Sequence, residues 1–434
     1  MRIKIEKIGI NGEGIGYYHR IPIFCDGALP EDMIDIKLPK SEAKYYRINN
    51  YKMISPSPLR VQPTCPYQKE CGGCGLMHME EEVQKKWKRE LLIEALWKYG
   101  HVKEHFIRDM KGTSQALHYR NACKLPVQEV NGILVTGMDQ PNSNHFIPIE
   151  DCLIHSEQVE NLRKQILFIL NKHAFPAYNP KTKSGLRYLV LRSIQEESQC
   201  TFITGKDTIS KELIQDLMRI PTLVSLSQSV QTDKHTHEIF GKRIQLLAGK
   251  ETISFSINGI SLELSADSFF QLNTTQASKL YEMAIQKIDT CHTLVEAYCG
   301  VGAMSILARK KANVIIGIEY VPNAIENAKR NAQNNDAQIE FIVGDAGKEL
   351  KKICKERKVD AILVDPPRSG LDDTFIETVL ENDIKRIIYV SCNPATLGKN
   401  IKLLKREYQV RTVIPFDLFP NTPQVESITV LERG

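Results

Sequence analysis

No run of about 20 apolar residues occurs anywhere in the chain, and residues 1–7 alternate charged with apolar side chains. Because the long apolar run is missing, we expect no transmembrane helix. Because residues 1–7 are rich in charge, we expect no apolar core of a secretory signal at the start of this sequence. Internal repeats, low-complexity tracts and coiled-coil patterns are missing as well. We therefore expect a cytoplasmic protein that is monomeric and has no membrane partner.

Cysteine is present, but not in a pattern that suits disulfide bonds. The 11 cysteines are odd in number and unevenly spaced, so metal-binding or catalytic thiols in a reducing compartment are expected. A large excess of charge of one sign is also missing, since the net charge is +5 and the isoelectric point is about 8.5. Such mild basicity permits a nucleic-acid partner without requiring one.

We expect a multidomain α/β protein, because 434 residues exceed what one compact core usually holds and strand patterns alternate with helix patterns in the last third of the chain. The hydrophobic share of 42% and the charged share of 25% are ordinary for a globular protein. We expect a small β domain over 1–54, a central mixed α+β domain over 55–255 and a doubly wound α/β domain over 256–434.

The first domain has short alternating runs separated by glycine-rich turns at 11–16 and 26–30, which predicts an OB-like β-barrel. Such barrels bind single-stranded nucleic acid through basic and aromatic side chains. That mixture is supplied by Lys40, Lys44, Tyr45, Tyr46 and Arg47. A solvated strand edge would have the same composition.

The central domain follows a linker at 55–58 and begins with a predicted helix over roughly 80–99. The polar side of this helix carries four basic residues: Lys85, Lys86, Lys88 and Arg89. They suit either a solvated face or RNA contact. The remainder, to about residue 255, is mostly strand-like, with helices near 156–173 and 209–218.

Strands and helices alternate from about residue 290, which predicts a parallel sheet with helices on both faces. The expected strands are 293–298, 314–319, 339–343, 361–364 and 387–390, and the expected helices include 324–334 and 375–380. The last two apolar runs, 410–414 and 427–431, should form an antiparallel hairpin at the sheet edge.

Polar residues at the ends of these strands predict a nucleotide-like cofactor site, because ligands of open α/β sheets bind at the carboxyl ends of strands. Gly300 and Gly302 follow the first strand without completing the dinucleotide motif G-x-G-x-x-G. Glu319 ends the next strand and could accept hydrogen bonds from ribose hydroxyls, and Asp345 could face an adenine. This set is similar to a class I S-adenosylmethionine site, although both carboxylates could instead cap turns.

Two further strands end in a carboxylate, Asp365, and a thiol, Cys392. This combination suits methylation of uracil at C5, a carbon that is a poor nucleophile by itself. Addition of a thiolate to C6 produces an enolate, and C5 can then attack a methyl sulfonium. The reaction needs an activated cysteine and a general base that removes the C5 proton.

The segments 365–370 (D-P-P-R-S-G), 391–396 (S-C-N-P-A-T), 423–427 (P-Q-V-E-S) and 267–273 (D-S-F-F-Q-L-N) resemble the RNA uracil-5-methyltransferase family. The resemblance implies that Cys392 is the nucleophile and Glu426 the general base. It also places Gln271, Tyr298, Glu319 and Asp365 at cofactor-contacting positions, with Asp345 as an addition. Ala303 replaces the asparagine that some members carry, so one cofactor hydrogen bond is missing or water-mediated.

Three cysteines share one glycine-rich loop, in the pattern Cys65-x₅-Cys71-x₂-Cys74. Three close cysteines and one remote one suit an iron–sulfur cluster better than structural zinc, which prefers paired knuckles. Cys123 and Cys152 are both candidates for the fourth ligand. The family's iron–sulfur members place it at Cys152, which implies a [4Fe–4S] cluster with a structural role.

The resemblance extends over nearly the whole chain, and its N-terminal part is similar to a TRAM domain, an RNA-binding barrel. Members with this barrel and the cluster act on 23S ribosomal RNA, which is therefore the expected substrate, with tRNA as the alternative. Arg368 stands where RNA cytosine-5-methyltransferases carry their cysteine, which favours uracil. An iron–sulfur oxidoreductase and a non-catalytic ribosome-assembly factor remain as alternatives from other classes.

Overall fold

Six strands at the beginning of the chain pair into one sheet in the order β5-β3-β2-β1-β4-β6. They are β1 (Arg2–Ile8), β2 (Gly14–Tyr18), β3 (Ile21–Cys25), β4 (Met33–Asp35), β5 (Tyr46–Ile48) and β6 (Lys52–Ser55). The computed structural model describes residues 1–38, 44–113, 115–141, 143, 145–233, 236 and 238–434. Within β1, Ile3 and Ile5 point into a small apolar core, which explains the alternating pattern. A β-rich first segment is confirmed, whereas its closure into an OB-like barrel stays a prediction.

The basic and aromatic residues proposed for RNA contact are only partly described, since Lys40 lies outside the described residues. Tyr45 is exposed and packs edge-on against Phe24. The guanidinium of Arg47 binds the carboxylates of Glu13 and Asp26. Arg47 is therefore engaged within the sheet, while Tyr45 has the exposure that a stacking residue requires.

Two helices follow: α1 (Gln68–Cys71) and α2 (Glu81–Gly100). The bounds of α2 confirm the helix predicted over 80–99, but its basic side is not uniformly solvated. Lys86 is exposed, whereas Lys88 is fully buried and forms an ion pair with Asp417. The prediction that Lys88 belongs to an exposed face was wrong, because its partner lies 329 positions away in sequence.

The central part of the chain is a sheet in the order β13-β12-β11-β10-β7-β8-β9, with two helices packed against it. Its strands are β7 (Ala122–Val130), β8 (Ile133–Asp139), β9 (Phe146–Pro148), β10 (Leu186–Ile194), β11 (Glu197–Thr204), β12 (Leu223–Val230) and β13 (Ile244–Gly249). Helices α3 (Glu157–Lys172) and α4 (Lys211–Leu217) confirm the two predicted helices. Ser156 and Ser210 cap them, each accepting a hydrogen bond from the backbone three residues on.

A hairpin, β14 (Thr252–Ile257) and β15 (Ile260–Ser265), and helix α5 (Thr274–Gln286) follow the central sheet in the chain. Four parallel strands then pair in the order β18-β17-β16-β19. They are β16 (Cys291–Ala297), β17 (Ala312–Glu319), β18 (Glu340–Val343) and β19 (Ala361–Val364). The intervening helices are α6 (Ala303–Leu307), α7 (Pro322–Asn334), α8 (Ala346–Glu356) and α9 (Asp373–Glu381). The predicted alternation of parallel strands and helices is confirmed.

The chain ends with strand β20 (Arg386–Ser391), helix α10 (Pro394–Leu404) and strands β21 (Tyr408–Phe416) and β22 (Glu426–Arg433). Strands β21 and β22 pair antiparallel, with Phe416 opposite Glu426, which confirms the predicted hairpin. Its apolar residues, among them Val413 and Ile428, are fully buried.

The described residues divide into two compact units, each made of separate stretches of chain. The first unit holds Met1–Ala116, Pro366–Leu371 and Tyr389–Gly434, and the second holds Leu117–Asp365 and Asp372–Ile388. The division into domains at 1–54, 55–255 and 256–434 stays a prediction. Among the described residues, no helix combines the length and hydrophobicity needed to cross a membrane.

Candidate active site

In the first unit, Cys392 occupies the short turn between the end of β20 and the start of α10. The next residue, Asn393, caps the helix: its Oδ1 accepts hydrogen bonds from the backbone N–H groups of Ala395 (3.1 Å) and Thr396 (3.3 Å). Cys392 is partly exposed. The positive end of a helix dipole stabilises a thiolate, so this position favours a nucleophilic sulfur that a substrate can reach.

The segment Pro366–Leu371 is fastened to the same turn. The backbone carbonyl of Arg368 accepts hydrogen bonds from Asn393 Nδ2 and Thr396 Oγ1, both at 3.1 Å. The amide oxygen of Asn400 in α10 accepts a hydrogen bond from the backbone N–H of Leu371 at 3.0 Å. The two motifs that sequence analysis singled out separately, D-P-P-R-S-G and S-C-N-P, thus meet through Arg368 and Asn393.

Glu426 also belongs to the first unit and is the first residue of β22. Its side chain is 5% exposed, so it is shielded from bulk water. This environment suits the base predicted from the family resemblance.

In the second unit, the glycine turn after β16 is tightly built. Tyr298, Gly300 and Gly302 all adopt positive φ angles, of 63°, 53° and 80°. A Cβ atom on Gly302 would lie 3.0 Å from the ring of Phe341, whereas one on Gly300 would meet no atom within 4 Å. Gly302 is thus required for packing, and Gly300 leaves space for a ligand to approach the backbone.

The carboxylates Glu319 and Asp345 lie at the ends of the next two strands, β17 and β18. Glu319 accepts hydrogen bonds from the backbone N–H groups of Gly300 (3.1 Å) and Val321 (3.0 Å). Asp345 caps α8 by accepting a hydrogen bond from the backbone N–H of Lys348 at 3.0 Å. The capping alternative is therefore observed for both side chains. Because each carboxylate oxygen accepts more than one hydrogen bond, capping does not prevent either from binding a ligand hydroxyl.

Burial raises the pKa of two acids at this edge of the sheet. The pKa of Asp365 rises to about 7. That of Glu296 rises to about 8, because burial and the charges of Asp365 and Glu319 outweigh the hydrogen bonds of Ser305. Sequence analysis missed Glu296, although a glutamate within an apolar strand was a visible signal.

Gln271 lies in a loop that is held by Asn121, the residue just before β7, and by Arg192 of β10. The side-chain amide of Asn121 donates to the backbone oxygen of Gln271 at 2.9 Å. The guanidinium of Arg192, a half-buried residue, donates to the backbone oxygen of Ser265 at 3.3 Å and to that of Ser268. Sequence analysis also missed Asn121 and Arg192, since their partners are more than 70 positions away.

Cys65, Cys71 and Cys74 share a loop of the first unit that contains the single helical turn α1. The backbone N–H of Cys71 donates to the oxygen of Tyr67 at 2.8 Å, and α1 ends at Gly72 with a φ of 64°. Over the described ranges, no group of three or more Cys, His, Asp or Glu side chains is arranged to hold a metal ion. The predicted iron–sulfur site is therefore not confirmed.

The two candidates for the fourth ligand, both in the second unit, differ in environment. Cys123 belongs to the core of the central sheet, where burial raises its pKa. Burial would also raise the pKa of Cys152, but the hydrogen bond and charge of His155 outweigh this effect and lower it. Of the two, Cys152 has the thiol that ionises more readily, as a metal ligand must.

A parallel sheet whose carboxyl ends carry a glycine turn and several acids is the architecture of a doubly wound α/β domain that binds a nucleotide-like cofactor. The solved structure of Pyrococcus abyssi tRNA (uracil-54, C5)-methyltransferase matches this fold with a TM-score of 0.80 and 24% identity, over 99% of this chain and 100% of that one. An uncharacterized RNA methyltransferase of Listeria innocua is 35% identical over 445 residues, covering 99% of this chain and 97% of that protein. One of Bacillus cereus is 36% identical over 442 residues, covering 99% and 96%.

A family model described as tRNA (uracil-5-)-methyltransferase matches residues 88–434. The chain therefore belongs to the RNA uracil-5-methyltransferase family and is an RNA methyltransferase. The family prediction is confirmed, and membership decides against the iron–sulfur oxidoreductase.

Proposed function

We propose that this protein methylates C5 of uridine in RNA, with S-adenosylmethionine as methyl donor and 5-methyluridine as product. The observation that carries the proposal is the position of Cys392 at the positive end of α10, in a turn fastened to the D-P-P-R-S-G segment. Membership of the family supports uracil as the base.

In the proposed reaction, the thiolate of Cys392 adds to C6 of the target uracil and makes C5 nucleophilic. The bound donor supplies a methyl group activated by a sulfonium. After C5 has gained the methyl group, Glu426 removes the remaining C5 proton, and the electrons of the broken C–H bond restore the C5–C6 double bond. The Cys392 sulfur leaves in this step, which frees the RNA. Such chemistry requires the base to be flipped out of its stack.

The proposed donor-binding residues are Gln271, Tyr298, Glu319, Asp345 and Asp365. The open space beside Gly300 and the acidic strand ends support this assignment, because a ligand can approach the backbone there and find hydrogen-bond acceptors. We also propose three domains, at 1–54, 55–255 and 256–434. The first would be a TRAM-like barrel that binds RNA.

We propose 23S ribosomal RNA as the substrate, on the family resemblance of the N-terminal segment and the cysteine loop. A tRNA uridine is the second candidate, since the Pyrococcus abyssi protein of the same fold acts on tRNA uracil-54. The protein is expected to act as a monomer.

A [4Fe–4S] cluster held by Cys65, Cys71, Cys74 and Cys152 also stays a proposal. The donor set supports it: three thiols on one glycine-rich loop and a fourth thiol of lowered pKa. No step of the reaction passes through the cluster, whose role would be structural.

The function is tested by incubating the protein with S-adenosylmethionine and either unmodified ribosomal RNA or unmodified tRNA, followed by mass spectrometry of the nucleosides. We expect 5-methyluridine in ribosomal RNA and none with Cys392→Ala. If 5-methyluridine forms in tRNA alone, the substrate is tRNA and not ribosomal RNA, and the proposed chemistry still holds. Another methylated nucleoside in place of 5-methyluridine would refute the proposed reaction.

A further inference from the structure

Residues 417–425, the β21–β22 connection, lead directly into Glu426. The last residue of β21, Phe416, pairs with Glu426 in the hairpin. The connection therefore begins and ends at the residue pair that contains the proposed base. The contacts that hold the connection therefore also bear on the position of Glu426.

Lys88 of helix α2 anchors the beginning of this connection. Its ammonium group lies 2.5 Å from Asp417 Oδ1 and donates to the backbone oxygen of Phe419 at 3.0 Å. The side chains of Lys88 and Asp417 are 0% and 1% exposed. A lysine is almost never buried this completely unless it is paired, so the ion pair fixes the connection against α2.

Gln84, one turn earlier on α2, anchors the middle of the connection. Its amide group donates to Asn421 Oδ1 at 3.2 Å and accepts a hydrogen bond from the backbone N–H of Asn421 at 3.0 Å. Asn421 has a φ of 64°, a conformation that needs outside support in a non-glycine residue. Its backbone oxygen accepts a hydrogen bond from Leu76 at 2.9 Å, which joins the connection to the cysteine loop as well.

The same helix also supports the nucleophile. The backbones of α2 and α10 approach closely where Gly100 meets Gly398, since a Cβ atom on Gly100 would lie 2.9 Å from the carbonyl oxygen of Gly398. Helix α10 begins directly after the turn that carries Cys392. Helix α2 is thus a common support for the two residues that would form and break the covalent bond to RNA.

We propose that Lys88 and Gln84 are positioning residues for the proton-removal step, acting through the β21–β22 connection on Glu426. This inference rests on the proposed function. Breakdown of the covalent RNA adduct requires Glu426 to reach the C5 proton, whereas formation of the adduct does not. Loss of the anchors should therefore slow release of the methylated RNA and leave addition and methyl transfer nearly unchanged.

The test uses ordinary uridine-containing substrate RNA, labelled S-adenosylmethionine and rapid quenching, with adducts resolved on denaturing gels. For Lys88→Met and, independently, Gln84→Leu, we expect release to slow by about 10-fold to 100-fold, which is less than the roughly 100-fold to 10,000-fold that a general base contributes, because Glu426 itself is still present. A methylated RNA–protein adduct should then accumulate. Release is expressed per adduct formed, so a variant with a reduced folded fraction still reports on the step.

Two controls separate positioning from stability. Lys86→Met changes an exposed lysine of the same helix and should behave as wild type. The double variant Lys88→Met with Asp417→Leu replaces the buried pair by apolar side chains, a change that often preserves folding, yet it lacks the contact to Phe419.

Continued adduct accumulation in the double variant supports positioning. Restored release, or equal loss of formation and release in both single variants, would overturn the inference. A wild-type protein that produces no 5-methyluridine refutes the proposed function itself.

Discussion

Glu296 gives a prediction whose size follows from the structure. This side chain is 1% exposed inside strand β16 and is hydrogen-bonded to Ser305 in the short helix α6. Its pKa is raised from 4.5 to about 8. The folded protein therefore keeps a proton that the unfolded chain releases between these two pH values, so stability falls as the pH rises through this window.

The expected penalty at pH 7 is about 3 kcal/mol, because each pKa unit between 4.5 and the working pH contributes about 1.4 kcal/mol. Glu296→Gln keeps the shape of the neutral acid and has no proton to lose. We take the free energy of unfolding of the variant minus that of wild type. This difference should be about 3 kcal/mol larger at pH 7 than at pH 4.5.

The assay is denaturant unfolding of both proteins from pH 5 to pH 8, followed by fluorescence. Glu377→Gln, at an exposed glutamate of α9, serves as the control and should show no comparable trend. If the stability difference between Glu296→Gln and wild type stays constant over this range, Glu296 is ionised in the folded state and the account of this strand is wrong.

Four further predictions concern the candidate site. Cys392→Ala should abolish methyl transfer while RNA affinity, measured by filter binding, changes little; surviving activity would refute the nucleophile. Burial raises the pKa of Asp365 to about 7, so this acid becomes negatively charged as the pH rises from 6 to 8 and should then bind the cationic S-adenosylmethionine more tightly. Calorimetric measurement of this affinity should show the trend for wild type and not for Asp365→Asn. Gly302→Ala should lower the free energy of unfolding by about 1 to 2 kcal/mol, since φ is 80° there; unchanged thermal stability would contradict this. After anaerobic purification, wild type should contain iron and absorb visible light, whereas Cys71→Ser should contain less iron and absorb less. A wild-type protein without iron would refute the proposed cluster.

The parts of the fold that were predictable are those with local signals. Strands β16 to β19 are short apolar runs that end in polar turns, and helices α2 and α3 show apolar residues at helical spacing, so their positions agree with the sequence analysis. The motifs at 365–370 and 391–394 likewise carry their chemistry in adjacent residues. Family membership could be predicted from them for that reason.

The parts that escaped prediction depend on contacts between residues far apart in sequence. In the sequence, Lys88 cannot be distinguished from the exposed Lys86. Only the fold shows that Lys88 is paired with Asp417. Asp345 was expected either to face a ligand or to cap a turn, and the structure shows that it caps α8; the sequence alone could not decide between these two roles. Arg192 and Asn121 support a loop that lies more than 70 positions later in the sequence, so no local pattern marks them.

The most direct test of the central claim uses RNA in which uridine is replaced by 5-fluorouridine. Fluorine at C5 cannot be removed as a proton, so a methyltransferase of the proposed mechanism should stall as a covalent RNA–protein adduct in the presence of S-adenosylmethionine. We expect mass spectrometry to locate the RNA fragment on Cys392. An adduct on another cysteine, or methylation of the RNA without any adduct, would contradict the account.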